Sequence, residues 1–246
     1  MICFLTSSPV TPDGARINPI NGFTARLWAS LPERCRVLFV CSDPEGWEKT
    51  DFYGGEMLRV LRKAGFRVKS FAALDNRNRE RAPALVRSAD LIILAGGHVP
   101  TQNRFFAEIG LRELLRDFDG VVMGISAGSM NSAETVYAQP EEEGEAVDPA
   151  YQRFLPGLGL TKQMILPHYR EIKDDVLDGL RVMEDVAYPD SMGREFLVFP
   201  DGSYLYIENG KETVCGEAWL LKDGVMTRIS APEQGTPSLP RFDLDD

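Results

Sequence analysis

The sequence predicts an α/β domain: a three-layer sandwich around a mostly parallel sheet, with antiparallel hairpins toward the C-terminal end. Three observations predict it. Short runs of Val, Ile, Leu and Phe, apolar throughout, recur over the first two thirds of the chain, as strands buried on both faces do. Amphipathic helical stretches separate these runs, the alternation that parallel crossover connections require. From Glu195 the texture changes to short strands punctuated by "PDG", "ENG" and "KDG", which are hairpin turn signals.

The elements follow in order. "ICFLT" opens the chain as a strand, and "RVLFVCSD" is a second, apolar enough to be buried on both faces. "YGGEMLRVLRKAG" places Met57, Leu58, Leu61 and Ala64 on one helical face and stops at Gly65. "FRVKSFAAL" reads as a strand, and "APALVRSAD" as a short helix or turn feeding the buried strand "LIILAGG". "RFFAEIGLRELLRDF" has helical spacing, and "GVVMGIS" leads into a helix beginning near Ala127. Residues 138–157 are acidic, broken by Pro and Gly, and without period; a loop this long in a compact domain is more often functional than incidental. "TKQMILPHY" resumes a strand and "DDVLDGLRVMEDVA" reads as a helix before the hairpins. Right-handed crossovers place the C-terminal ends of the parallel strands along one edge.

The chain has 246 residues, 43% hydrophobic and 26% charged, enough for one large domain with its own core. We read residues 1–231 as that domain and the Pro-rich, acidic residues 232–246 as a tail. A formal net charge of −10 argues against a nucleic-acid partner or an anionic membrane surface. Cys3, Cys35, Cys41 and Cys215 form no C-x-x-C pair and read as reduced, mostly buried thiols. "MICFLTSSPV" has no basic leader region, and no stretch approaches a membrane span, so a cytoplasmic location is the expectation.

Gly124, Ser126 and Gly128 form G-x-S-x-G directly after an apolar strand, the pattern of a nucleophile on a sharp strand-to-helix turn, where bulky neighbours would clash. Only two histidines exist: His98 in "LIILAGGH" and His168 in "MILPHY". Both follow strands, and parallel sheets bind ligands outside strand C-termini, so "AGGH", "GIS" and "ILPHY" converge on one edge. Gly96 and Gly97 let the backbone approach a ligand closely, and the amides of Gly97 and Ala127 are candidate oxyanion donors. A serine nucleophile needs a base and a carboxylate to orient it. The loop after Ser126 offers Glu134, Glu141, Glu142, Glu143, Glu145 and Asp148 for the carboxylate.

"LAGGH", "GISAGSMN", the acidic loop, and "PGLGL" with "MILPHY" together resemble the dipeptidase E and cyanophycinase family of serine peptidases. The resemblance covers about residues 91–169. It implies a flavodoxin-like, class I glutamine amidotransferase-like fold with serine in place of that fold's cysteine. It implies Ser126 as nucleophile, His168 as base and then acid, and Gly97 and Ala127 as the oxyanion hole. Alignment from the nucleophile puts the triad acid at Glu141, with Glu142 and Glu143 as alternatives. The chain departs from the family at "AGGH" and "SMN", so His98, Ser129 and Met130 are candidate pocket residues, and aspartyl-dipeptide specificity does not follow from the resemblance.

The function expected is therefore a serine exopeptidase or dipeptidase that forms an acyl-enzyme on Ser126 and hydrolyses dipeptides or short peptides. No cofactor is expected, and no metal, since two histidines so far apart in sequence give no ligand spacing. A homo-oligomer is left open. Two other readings compete. An α/β-hydrolase esterase shares the elbow but places its histidine much nearer the chain's end. A non-catalytic binding or regulatory module could keep the elbow for structural reasons alone.

Overall fold

Each apolar run becomes a strand in the computed structural model, which describes residues 1–231; the tail expected at 232–246 lies outside the described residues. Ile2–Thr6 (β1), Arg34–Val40 (β2), Arg67–Leu74 (β3), Leu91–Leu94 (β4) and Val121–Ile125 (β5) are joined in parallel in the order β1-β5-β4-β2-β3. Alternate residues of these strands feed two separate cores. Phe4, Val37, Phe39, Leu91, Ile93 and Met123 pack with Phe23–Ser30 (α1) and Trp47–Lys63 (α2) through Phe23, Leu27, Met57 and Leu61. Leu5, Leu38, Val40, Ile92, Leu94 and Val122 face the other way, onto Ala82–Ser88 (α3), Val99–Glu108 (α4) and Leu111–Leu115 (α5). Burial on both faces is why these strands read as continuous apolar runs, and the result is the three-layer sandwich.

Past β5 the chain makes the short helix Ala127–Met130 (α6), then Thr135–Tyr137 (β6), which pairs with Phe154–Pro156 (β7). The acidic loop lies between them, and its ends are tied where the Ala138 amide meets the Arg153 carbonyl at 2.7 Å. Met164–Leu166 (β8) is followed by Tyr169–Ile172 (α7), by the small hairpin Val176–Leu177 (β9) and Leu180–Arg181 (β10), and by Tyr188–Asp190 (α8). The last five strands are Glu195–Val198 (β11), Tyr204–Glu208 (β12), Lys211–Cys215 (β13), Ala218–Lys222 (β14) and Val225–Ser230 (β15). They divide between two sheets. β12 pairs antiparallel with β1 and carries β13, extending the central sheet to seven strands, whereas β8, β11, β14 and β15 form a second sheet. In that second sheet Leu197 and Phe199 join the main core while Phe196 and Val198 face a smaller one with Tyr137.

Three readings of the sequence are corrected here. The helical stretch 104–118 is two helices, because Gly110 turns left-handed at φ 63° between them. "DDVLDGLRVMEDVA" is not one helix: Asp178 and Gly179, with φ of 53° and 80°, turn the β9–β10 hairpin, and only Val182–Ala187 is helical, in π form. "PDG" does not close a hairpin, since β11 and β12 lie in different sheets; "ENG" and "KDG" do close β12–β13 and β14–β15. No helix among the described residues is long and apolar enough to cross a membrane.

Candidate active site

Ser126 stands between β5 and α6 with φ 48° and ψ −111°. Such a conformation costs an L-residue on the order of 1–3 kcal/mol and persists only where its surroundings impose it. The flanking glycines show how the turn closes. A Cβ on Gly124 would stand 2.8 Å from the Ser129 amide nitrogen, and one on Gly128 would run into the Leu94 carbonyl of β4. The Ser126 amide is shared between the carbonyls of Thr6 (3.0 Å) and Ser7 (3.1 Å), and the Ser129 hydroxyl also donates to Thr6, at 2.7 Å. The end of β1 thus anchors the elbow. Ser129, a candidate pocket residue from the sequence, is fully buried in this joint with its hydroxyl turned to the β1 main chain.

The glycine turn after β4 lies against the same elbow: a Cβ on Gly96 would stand 3.4 Å from that of Ser126. Gly97 has φ 149°, and a side chain there would strike Ser42. Among the described residues, no hydrogen bond uses the amide of Gly97 or of Ala127. Two donors next to the serine therefore stay available to an incoming oxygen.

His168 follows β8 in a left-handed conformation, φ 56° and ψ 32°, and its amide donates to the Ser7 hydroxyl at 2.8 Å. Its Nδ1 lies 2.7 Å from Oδ1 of Asp201. The same carboxylate oxygen accepts the Ser7 hydroxyl at 2.5 Å, while Ser7 Oγ is 3.3 Å from Nδ1. A carboxylate only accepts, so Nδ1 carries the proton and Nε2 offers its lone pair. Among the described residues neither Nε2 nor the Ser126 hydroxyl takes part in a hydrogen bond.

The carboxylate on the ring is thus Asp201; Glu141, Glu142 and Glu143 make no hydrogen bond to His168. Topology explains the difference from the sequence-based expectation. β11 lies beside β8, β12 lies beside β1, and the turn between β11 and β12 carries Asp201 past both His168 and Ser7. In sequence Asp201 is hidden inside "PDG", a turn signal. The rule that drew attention to His168, a polar residue just past an apolar strand, would also have found Asp201 after "EFLVF". Ser7, the residue directly after "ICFLT", would have been found the same way.

The start of the acidic loop lines a pocket together with His168. Glu141 shares a pocket of about 370 Å³ with Met130, Gln139, His168, Asp175 and Val182. His98, which precedes α4, reaches the loop: Nδ1 is 2.8 Å from the Thr101 hydroxyl and Nε2 2.8 Å from Glu145. The other Glu145 oxygen accepts the amides of Glu141 and Glu142, both at 2.9 Å, so His98 and Glu145 shape the segment that presents Glu141. Glu142 and Glu143 are exposed.

These groups titrate as their surroundings dictate. Burial alone would lower the His168 pKa, but the Asp201 hydrogen bond and the charges of Asp201, Glu171 and Glu141 outweigh it and raise it. Burial would raise the Asp201 pKa, and the hydrogen bonds from His168 and Ser7 bring it below its ordinary value instead. Glu141 is pushed up to about 7, by desolvation first and by Glu145 and Glu142, against the pull of His98 and His168. Its side chain stays exposed to the pocket's water, which trims that rise without reversing it. Among the described residues, two groups could hold a cation, with ligand atoms all within 4.8 Å of one another: His98 with Glu142 and Glu145, and His168 with Glu171 and Asp201. In both, the imidazole is already hydrogen-bonded to one of the carboxylates.

Comparison with known proteins bears on this geometry. None of the curated proteins compared with the chain matches it. Among solved structures, it is similar to the crystal structure of a protein provisionally called peptidase E from Listeria monocytogenes EGD-e, at 16% identity. That match covers 87% of this chain and 96% of the other, with a TM-score of 0.60, and at this identity it shows the fold. The family model for peptidase family S51 matches residues 4–214, nearly the whole described chain. The chain belongs to peptidase family S51, the dipeptidase E family of serine peptidases.

Proposed function

We propose that the protein is an exopeptidase that hydrolyses dipeptides or short peptides through an acyl-enzyme on Ser126. The observation that carries this reading is the Ser7–Asp201–His168 hydrogen-bonded group beside a serine held in a strained turn. The Ser126 hydroxyl oxygen bonds to the substrate carbonyl carbon while its proton passes to His168 Nε2. The amides of Gly97 and Ala127 hold the developing oxyanion. The carbon–nitrogen bond then breaks, the His168 proton leaves with the amine, and water activated by the same ring clears the acyl group. Asp201 keeps the proton on Nδ1 and stabilises the imidazolium, so we assign it as the third member of the triad. Glu141, facing the pocket with His168, then acts on substrate. Apo sites often hold base and nucleophile apart until substrate binds, in keeping with a Ser126 hydroxyl that is not yet bonded to the ring.

The pocket's size, about 370 Å³, suits one or two residues of a peptide. Four buried cysteines outside any disulfide are in keeping with a reducing, cytoplasmic compartment, and the net charge of −10 with a partner other than nucleic acid. The test is a screen of dipeptides and short peptides, N-terminal aspartyl substrates included, with Ser126→Ala and His168→Ala as controls. Turnover by the wild type alone is expected, together with fluorophosphonate labelling that Ser126→Ala abolishes. Folded wild type that neither turns over nor labels would favour a binding module over an enzyme.

A further inference from the structure

We propose that Ser7 is a positioning residue of the reaction, holding His168 and Asp201 in register with the elbow. The inference rests on the reading of Ser126 and His168 as nucleophile and base. Ser7 is fully buried one residue past β1, where its main chain and side chain serve opposite sides of the site. Its carbonyl accepts the Ser126 amide at 3.1 Å. Its hydroxyl accepts the His168 amide at 2.8 Å and donates to Asp201 at 2.5 Å. One small side chain therefore links the central sheet, which carries the serine, to the second sheet and its crossover, which carry the base and the acid.

The arrangement uses the hydroxyl both as donor and as acceptor. Its one hydrogen goes to the carboxylate, and a lone pair takes the His168 amide. That amide belongs to a residue at φ 56°, a conformation a non-glycine residue holds only when something fixes it. The bond to Asp201 is charge-assisted and sits on the same oxygen that meets Nδ1. Without it Asp201 would be free to rotate about its side-chain bonds, and the ring would lose both its orientation and its fixed tautomer. Alanine at position 7 keeps the backbone contact to Ser126 and deletes both hydroxyl bonds. The effect should therefore fall on proton transfer and leave substrate binding nearly intact.

The experiment compares wild type with Ser7→Ala, Ser7→Cys, Asp201→Asn and the Ser7→Ala/Asp201→Asn double variant. Two readouts are used: kcat and KM on the best peptide substrate, and the fluorophosphonate labelling rate of Ser126. Loss of a hydrogen bond to a charged group predicts that kcat and labelling fall about 10- to 100-fold in Ser7→Ala with KM nearly unchanged. Cysteine, of similar size and a weak donor, should not restore the rate. Because the charge-assisted bond to Asp201 is the stronger of the two hydroxyl bonds, the double variant should be only about twofold slower than Asp201→Asn, whereas a purely structural role gives multiplied losses. Melting curves on all four variants establish that folded protein is compared. Labelling at the wild-type rate in folded Ser7→Ala, or losses that multiply in the double variant, would overturn the role of Ser7 and leave the serine mechanism standing. A wild type that neither labels nor turns over would take both down.

Discussion

At the residue scale, His168 and Asp201 share one hydrogen bond and titrate in opposite directions. The His168 pKa is raised above 6.5 and the Asp201 pKa lowered below 3.8, each partly by the other. The sign of each contribution to stability follows. Asp201, with a depressed pKa, stabilises the fold above its unfolded value and loses that contribution as pH falls through its folded pKa. His168, with a raised pKa, stabilises below 6.5 and loses the contribution as pH rises through its folded pKa. With His168 as the proposed base, activity needs the neutral ring, so it should rise with pH over the range in which the ion pair is lost. We predict an acid limb of kcat/KM above pH 6.5 that moves down in Asp201→Asn, with kcat lowered on the order of 10²- to 10⁴-fold. Glu141→Gln provides the contrast: its carboxyl also titrates near neutrality, at about 7, but it is not bonded to the ring. It should change KM more than kcat and, since its charge is the smallest of those that raise the His168 pKa, move the acid limb down less than Asp201→Asn does. A pH–rate profile of the three proteins decides, and a limb that follows Glu141 instead would make that residue the orienting acid.

At the scale of single elements, much was legible because burial on both faces leaves an apolar signature. β1, β4 and β5 lie within "ICFLT", "LIILAGG" and "GVVMGIS", and β2 overlaps "RVLFVCSD" but begins two residues earlier. What was not legible turned on backbone conformations that periodicity does not encode. Gly110 interrupts an otherwise regular helical pattern, and Asp178–Gly179 reverses the chain inside one. The same consideration sorts glycines within helices. Gly128 in α6 leaves no room for a Cβ against the Leu94 carbonyl, whereas a Cβ on Gly55 in α2 meets nothing within 4 Å. Gly128→Ala should destabilise by about 1–3 kcal/mol, as overpacking does. It should also cost on the order of a hundredfold in kcat by displacing the Ala127 amide. Gly55→Ala should stabilise by about 0.5–1 kcal/mol and leave kcat alone. Denaturant melts and kcat for the two variants test both signs; a neutral Gly128→Ala would mean that the elbow does not depend on that contact.

At the scale of the whole molecule, the sequence indicated a sheet edge but not the meeting of two sheets on it. Ser7, Gly97 and Ser126 stand at the ends of β1, β4 and β5 in the central sheet, while His168 and Asp201 follow β8 and β11 in the second. Nothing local in "EFLVFPDG" says that its two halves part company, because both flanking strands have the same alternating texture; only the pairing of β12 with β1 decides it. The geometry between the proposed nucleophile and base therefore depends on how the second sheet is held. Its outer face is fixed by Phe196, fully buried and stacked on Tyr137 at 4.3 Å between ring centroids. Phe196→Ala should cost about 3–5 kcal/mol and let β11 and β8 shift with Asp201 and His168. Leu38→Ala, in the central sheet's core, should cost a comparable 2–5 kcal/mol, roughly, but it loosens a strand that carries no catalytic group. Measured at temperatures where both variants are folded, Phe196→Ala should lose on the order of a hundredfold in kcat, the scale expected of a misplacement near 1 Å, and Leu38→Ala only a few-fold. Equal losses in folded protein would mean that the two sheets move as one body and that the site does not depend on the joint between them.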